Sequence, residues 1–118
     1  MTSTYADENK KYLDSIVVDL FKQYAALAQA NNCKLVVILQ PFLGEIEANK
    51  YQYDLSVIVG ELKKINNIQI CDLMPFYQSY AKSHHKAAAY YYWPIDAHHN
   101  SRGYTMMAEG IYPYAAAK

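Results

Sequence analysis

The chain has 118 residues, of which 53% are hydrophobic and 19% charged, with eleven acidic and eleven basic side chains. This length fits a single domain, residues 1–118, and the composition excludes an intrinsically disordered chain. The balanced charge gives no basic face for nucleic acid, and no apolar stretch approaches the roughly 20 residues that span a bilayer. We therefore expect a packed globular domain with no nucleic-acid partner and no membrane span.

A long amphipathic helix is predicted at the start of the chain. Its apolar residues recur at intervals of three and four, a spacing typical of a helix that buries one stripe. Asn31 and Asn32 are expected to end it. The apolar stripe consists of Leu13, Ile16, Val17, Leu20, Tyr24, Leu27 and Ala28.

Two strands and a second helix are predicted next. Residues 34–39 form a continuous apolar run that ends at Pro41, a pattern typical of a strand buried on both faces in a parallel sheet covered by helices. After a polar connection at 42–52, residues 55–65 show helical spacing. Residues 68–73 then form another strand, ended by Pro75. The order helix, strand, helix, strand predicts a three-layer α/β fold with right-handed connections.

The last third of the chain is rich in tyrosine, which accounts for thirteen residues in the whole sequence. Such a stretch indicates either a partly wet aromatic surface or cleft wall, or ordinary amphipathic packing. Residues 76–82 fit a short helix. A final helical face contains Tyr104, Met107, Ala108 and Ile111. We expect Asn100 or Ser101 to cap that helix, and Pro113 to kink or end it.

The loop before this final helix carries the residues best suited to chemistry. All four histidines come in doublets, His84-His85 and His98-His99, and Asp96 precedes His98 by two positions. A carboxylate there can orient the imidazole through one nitrogen and leave the other nitrogen to take a proton from a nucleophile. The spacing alone is equally consistent with a structural role for Asp96 and His98.

The segment 96–104, followed by Met107-Ala108-Glu109, resembles the last conserved block of the SGNH/GDSL hydrolases, which reads Asp-x-His-x-Asn-x-x-Gly. Upstream, residues 36–41 and 68–76 resemble the fourth and fifth strands of that family. The resemblance implies an α/β fold, a three-layer flavodoxin-like, SGNH-type parallel sheet flanked by helices. Here that fold would be incomplete, with only its C-terminal strands and helices.

The resemblance also implies roles for two residues. His98 would be the general base and Asp96 its orienting partner, with no metal and no cofactor. Many family members space the pair as Asp-x-x-His, which would select His99 instead. The distance from His98 to Asn100 and Gly103 matches the family register and favours His98.

The family's serine nucleophile, which lies in a Gly-Asp-Ser motif after the first strand, has no counterpart in this sequence. We therefore expect the C-terminal part of an SGNH-type serine ester hydrolase or acyl transferase, inactive alone. Its substrate would be a small ester or acylated carbohydrate once the missing half is supplied. The edge of strand 34–39 would be open, so we expect self-association or a companion N-terminal fragment to cover it.

Two other functions remain open on the sequence alone. The chain could be a non-catalytic interaction module that keeps a hydrolase scaffold and offers its tyrosine-rich face to a partner. It could also hold a metal ion through Asp96, with His98 or His99, and the His84-His85 doublet. Adjacent side chains rarely point at one ion, and the sequence has no pair of histidines at helical spacing.

Overall fold

A computed structural model describes residues 3–96 and 98–116, and side chains from residue 6 onward. Its elements in chain order are mostly helical, with two short strands. They are α1 (Ser3–Ala30), β1 (Leu35–Leu39), α2 (Leu43–Ala48), α3 (Ser56–Leu62), β2 (Ile68–Asp72), α4 (Leu73–Ser83), a 3₁₀ helix (Ala88–Tyr91) and α5 (Ser101–Ala116).

The prediction of a three-layer flavodoxin-like, SGNH-type sheet is wrong. The described chain is mostly helical, and β1 and β2 form a two-stranded parallel sheet. Both strands were predicted within a residue of their observed bounds, so the error lies in the inferred burial. Only Val37 is buried in β1, and Ile38 is 41% exposed. An apolar run indicates a strand, but it does not supply the neighbouring strands and helices that would cover it.

The chain divides into two compact units, and the first comprises residues up to Leu35 together with Asp54–Gln69. In it α1 packs against α3. The amide of Asn67 donates a 2.7 Å hydrogen bond to the carbonyl of Ala25, which ties the segment after α3 to α1. The buried apolar side chains of this unit are Val18, Ala25, Ile58, Leu62 and Ile68.

Helix α1 confirms the predicted helix, yet it buries a different face from the one predicted. Five members of the predicted stripe are 42–63% exposed, and the buried positions are Asp14, Val18 and Ala25. Each residue of a helix advances about 100°, so the buried face is rotated by roughly one to two residues from the predicted stripe. The exposed members are Leu13, Ile16, Leu20, Tyr24 and Leu27.

The second unit, Val36–Tyr53 with Ile70–Lys118, contains the core that supports the candidate site. Helices α4 and α5 pack together, and Gly110 allows their close approach. A Cβ at Gly110 would lie 2.7 Å from Leu73 Cδ2 and 2.8 Å from Phe76 Cδ2, distances that real side chains do not tolerate. The buried core residues are Ile46, Cys71, Leu73, Met74, Tyr77, Ala81, Tyr91, Tyr92 and Met106.

The connection predicted at 42–52 contains the short helix α2. The buried carboxylate of Glu45 accepts 2.8 Å hydrogen bonds from the backbone N–H groups of Phe42 and Gln52, which closes this segment on itself. The spacing of Leu43 and Ile46 within six residues is too short to give a helical pattern. No helix in the described part of the chain is long and apolar enough to cross a membrane.

Two of the four prolines, Pro75 and Pro113, lie inside helices. Pro75 was expected to end the second strand, yet it lies in the first turn of α4, where its missing N–H costs no helical hydrogen bond. Asp72 caps that helix by accepting from the backbone N–H of Met74 at 3.1 Å. Pro113 was expected to kink or end the last helix near its last turn. The helix does not end at Pro113 but continues to Ala116, and the kink stays a prediction.

Candidate functional site

The loop at 93–98 is closed at its base by backbone hydrogen bonds. Tyr92 and His99 form an antiparallel bridge, and Trp93 N–H donates to the carbonyl of His98 at 3.1 Å. The loop leaves the 3₁₀ helix on one side and enters α5 on the other. Ala97 lies outside the described residues. The loop therefore projects its tip while its two ends are held together.

Asp96 and His98 lie at this tip and contact each other. Asp96 Oδ1 is 3.3 Å from His98 Nδ1 and accepts a 3.0 Å hydrogen bond from the backbone N–H of His98. The carboxylate thus favours the tautomer with its proton on Nδ1, and Nε2 keeps its lone pair. The side chains are 59% and 76% exposed, so the pair stands in water. The carboxylate thus contacts one nitrogen of a ring that is otherwise largely exposed.

His99 points the opposite way, into the core, where 4% of it is exposed. Its Nδ1 lies 3.4 Å from the carbonyl of Tyr91, which only accepts, and its Nε2 lies 3.3 Å from the hydroxyl of Tyr77. Both ring nitrogens are therefore engaged by the protein. Burial lowers the pKa of His99, because the charged imidazolium loses its hydration there.

The geometry separates the two histidines that the sequence left as alternatives. Only His98 combines a neighbouring carboxylate with an exposed ring. His99 cannot take a proton from an external nucleophile without breaking its contact with Tyr77. The roles of Asp96 and His98 as orienting carboxylate and base stay a prediction.

Asn100 fixes the loop to the helix that follows. Its Oδ1 accepts a 3.0 Å hydrogen bond from the N–H of Gly103, so Asn100 is the N-cap of α5. Its Nδ2 donates to the carbonyls of Tyr90 at 2.9 Å and Tyr92 at 3.3 Å. One buried amide therefore joins the end of the 3₁₀ helix to the start of α5. The predicted cap is correct, but its second pair of bonds was not foreseen.

Among the described side chains, no serine hydroxyl forms a hydrogen bond with the His98 ring, which contacts Asp96. One serine does contact a histidine: Ser83 Oγ lies 3.2 Å from His84 Nδ1. That nitrogen also lies 2.8 Å from the carbonyl of Tyr80, so it must carry a proton. The Ser83 hydroxyl itself donates to the same carbonyl. His84 therefore cannot activate Ser83 through Nδ1.

A metal site was the other sequence-based alternative. Among residues 3–96 and 98–116, no group of three or more His, Cys, Asp or Glu side chains is arranged to hold a metal ion. The two doublets have different partners instead of a shared one. His84 contacts the carbonyl of Tyr80, and His98 contacts Asp96. The described residues thus give the metal alternative no support.

Sequence reasoning missed the residues that hold the loop from inside. Tyr77 lies 22 positions before His99, so no local spacing connects them. Arg102 entered the resemblance only as part of the block, yet its Nε donates to the carbonyl of Tyr90 and its guanidinium stacks on the Tyr90 ring. The clustering of tyrosines was the one available signal, and it fitted packing and a cleft wall equally.

No family model, no curated protein and no solved structure matches this chain.

Proposed function

We propose that the Asp96–His98 pair acts as the orienting carboxylate and general base of an SGNH-type acyl-transfer reaction on an ester. The observation that carries the proposal is the 3.3 Å contact between Asp96 Oδ1 and His98 Nδ1, in a loop that presents the pair to solvent. The Asp-x-His-x-Asn-x-x-Gly sequence of this loop supports the same reading. The nucleophilic serine comes from outside the described residues.

The reaction would proceed in two steps, acylation of the serine and then its deacylation. His98 Nε2 takes the proton of the serine hydroxyl while the serine oxygen bonds to the ester carbonyl carbon. The alcohol then leaves with the proton from His98, which yields an acyl-enzyme. Water or an acceptor alcohol then bonds to the acyl carbon while His98 Nε2 takes its proton, and the serine oxygen leaves with that proton, which releases the acid or the new ester. Asp96 holds the ring and stabilises the imidazolium in both steps.

Because the Asp96–His98 pair is exposed, we expect it to act only when a further protein surface covers it. An exposed ion pair is worth at most about 1 kcal/mol, because water screens it. Exclusion of water would strengthen the Asp96–His98 interaction and remove competing hydration. A serine-bearing segment that covers the loop would supply both the nucleophile and this exclusion.

Acylation of the histidines by diethyl pyrocarbonate tests the activation of His98. The reagent acylates unprotonated imidazole nitrogens, and mass spectrometry gives separate rates for each histidine in one sample. We expect His98 to react faster than His85, an exposed histidine with no carboxylate partner among its described contacts. At about pH 8.5, where free imidazole is unprotonated, Asp96→Asn should slow His98 by about twofold to fivefold, because the carboxylate no longer stabilises the positive charge that develops on the attacking ring. Asp54→Asn is the control.

Equal rates at His98 and His85, unchanged by Asp96→Asn, would overturn the proposed role of the pair. A second measurement tests the external serine. The chain alone should hydrolyse p-nitrophenyl acetate no faster than equimolar imidazole. Hydrolysis well above that rate, lost in His98→Ala, would show that the chain contains its own nucleophile.

A further inference from the structure

A cleft of about 300 Å³ lies between the end of α4 and the first turns of α5. We call it the Tyr90 cleft, because Tyr90 is contacted by both of its cations. Its volume is at the lower end of the range for small-molecule sites, which suits a ligand of one ring. Three tyrosines contribute to its walls, Tyr80, Tyr90 and Tyr91. Neither Asp96 nor His98 lines it.

Two cations of the cleft are positioned by the same aromatic ring. The Arg102 guanidinium carbon lies 4.0 Å from the Tyr90 ring centroid, and its Nε donates a 3.1 Å hydrogen bond to the Tyr90 carbonyl. Lys86 Nζ lies 4.6 Å from the same centroid. The stacked guanidinium keeps its two terminal amino groups for a ligand. Such a fixed fork matches the two oxygens of a carboxylate.

Two other polar groups of the cleft are left as acceptors by hydrogen bonds that they make within the protein. His84 Nδ1 donates to the carbonyl of Tyr80 at 2.8 Å, which leaves a lone pair on Nε2. Thr105 Oγ1 donates to the carbonyl of Ser101 at 3.1 Å and can then only accept. The neighbouring carboxylate of Glu109, together with burial, raises the pKa of Tyr80 to about 12, so the Tyr80 hydroxyl keeps its proton. His84 Nε2 and Thr105 Oγ1 can therefore accept hydrogen bonds from a ligand.

We propose that the Tyr90 cleft binds a sugar unit that carries a carboxylate, a uronate. The carboxylate pairs with Arg102 and Lys86, the sugar hydroxyls donate to the acceptors, and the C–H face of the ring packs on tyrosine. A phosphate ion would satisfy the two cations, but it has fewer hydroxyl donors than a sugar and no C–H face to pack on tyrosine. This proposal names a substrate class for the proposed acyl transfer. It rests on the proposed function for one point only, that the bound sugar belongs to the ester substrate.

Titration of the full chain with methyl β-glucuronide, followed by NMR, tests the proposal. Methyl β-glucoside, acetate and inorganic phosphate are the matched probes, since each lacks one part of the uronate. We expect the glucuronide to bind at least tenfold more tightly than any of the three, and to shift the signals of Lys86 and Arg102. Tighter or equal binding of glucoside, acetate or phosphate would overturn the proposal.

Two variants locate the binding. Arg102→Lys keeps the charge but loses the fork, and we expect it to weaken glucuronide binding by roughly tenfold. Lys86→Gln should also weaken binding, whereas Lys82→Gln, an exposed position that does not line the cleft, should not. Unchanged binding in Lys86→Gln and Arg102→Lys would contradict the site. Circular dichroism of each variant confirms that it is folded.

The binding and acylation experiments fail independently. Asp96→Asn should leave glucuronide binding intact, because Asp96 does not line the cleft. Binding of glucuronide without activated acylation of His98 would retain the cleft and overturn the proposed function. Activated acylation without glucuronide binding would overturn the cleft alone.

Discussion

At the residue scale, His99 makes stability depend on pH. Its ring faces the neutral rings of Tyr77, Tyr92 and Tyr104 and the Tyr91 carbonyl, so burial disfavours its charged form. The folded-state pKa is thus below the unfolded value of about 6.5, and the unfolded chain binds more protons at lower pH. The stability that depends on a neutral His99 is fully present above about pH 6.5, and it is lost as the pH falls towards the folded-state pKa.

We therefore expect the melting temperature of the wild-type chain to fall between pH 7.5 and pH 5.5, and to fall less in His99→Phe. At pH 7.5 the variant should be less stable by about 1–3 kcal/mol, because the buried Tyr77 hydroxyl loses its partner. His85→Gln removes an exposed histidine that has no carboxylate among its described contacts, and it should keep the wild-type pH dependence. Identical pH profiles for wild type and His99→Phe would contradict this account.

Gly103 is the residue that makes room for His99. A Cβ at this position would collide with the Tyr91 carbonyl oxygen and with His99 Nδ1, and would lie 2.7 Å from His99 Cβ. These neighbours are backbone and the root of a buried ring, so neither can move cheaply. We expect Gly103→Ala to destabilise the chain by about 1–3 kcal/mol in urea unfolding.

The matched control is Gly60→Ala in α3, where nothing lies within 4 Å of the added Cβ. A glycine inside a helix costs roughly 1 kcal/mol relative to alanine, so this change should stabilise the chain by up to that amount. The opposite signs separate steric conflict from helix propensity. Stabilisation by both substitutions would show that His99 is not packed against Gly103.

At the element scale, Asn100 couples the start of α5 to the 3₁₀ helix. Asn100→Ser keeps an oxygen for the Gly103 N–H but loses the two bonds to the carbonyls of Tyr90 and Tyr92. Asn100→Ala loses all three. We expect urea unfolding to show that Asn100→Ala is less stable than Asn100→Ser by about 1 kcal/mol, the contribution of the cap oxygen. Relative to wild type, Asn100→Ala should lose more than that, because all three hydrogen bonds are lost. Equal stability of the alanine and serine variants would show that the cap oxygen contributes nothing.

The elements show which parts of the structure local sequence can predict. The bounds of β1, β2 and α1 follow from runs and periods within a few residues, and these predictions are confirmed. The number of layers and the buried face of α1 depend on which partners are present, and both predictions failed. Periodicity defines a stripe on a helix but does not say what covers it.

The candidate site shows the same division. The order Asp96, His98, Asn100 identified the loop and the cap of α5 from spacing and resemblance. The separation of an exposed His98 from a buried His99 depends on Tyr77, which is distant in sequence. Adjacent residues of an extended segment point to opposite sides, so a doublet in such a segment places one histidine outward and one inward.

At the scale of the whole molecule, the exposed stripe of α1 bears on the predicted self-association. Its five apolar residues follow intervals of three and four along roughly 21 Å of helix. No charged side chain interrupts this stripe. Continuous exposed apolar surface of this kind favours association. A second copy presents the same stripe, and two such helices pack side by side.

We expect the chain to form a dimer that dissociates on dilution, because a single helix stripe buries less area than a standard interface of about 800 Å² per partner. Light scattering over a range of concentrations measures this. Leu20→Glu places a charge in the middle of the stripe and should shift the equilibrium to monomer, whereas Gln29→Glu, on the opposite side of α1, should not. A wild-type chain that stays monomeric at high concentration would contradict self-association through α1. Glucuronide binding in the Leu20→Glu variant should match the wild type, since the Tyr90 cleft contains no residue of α1.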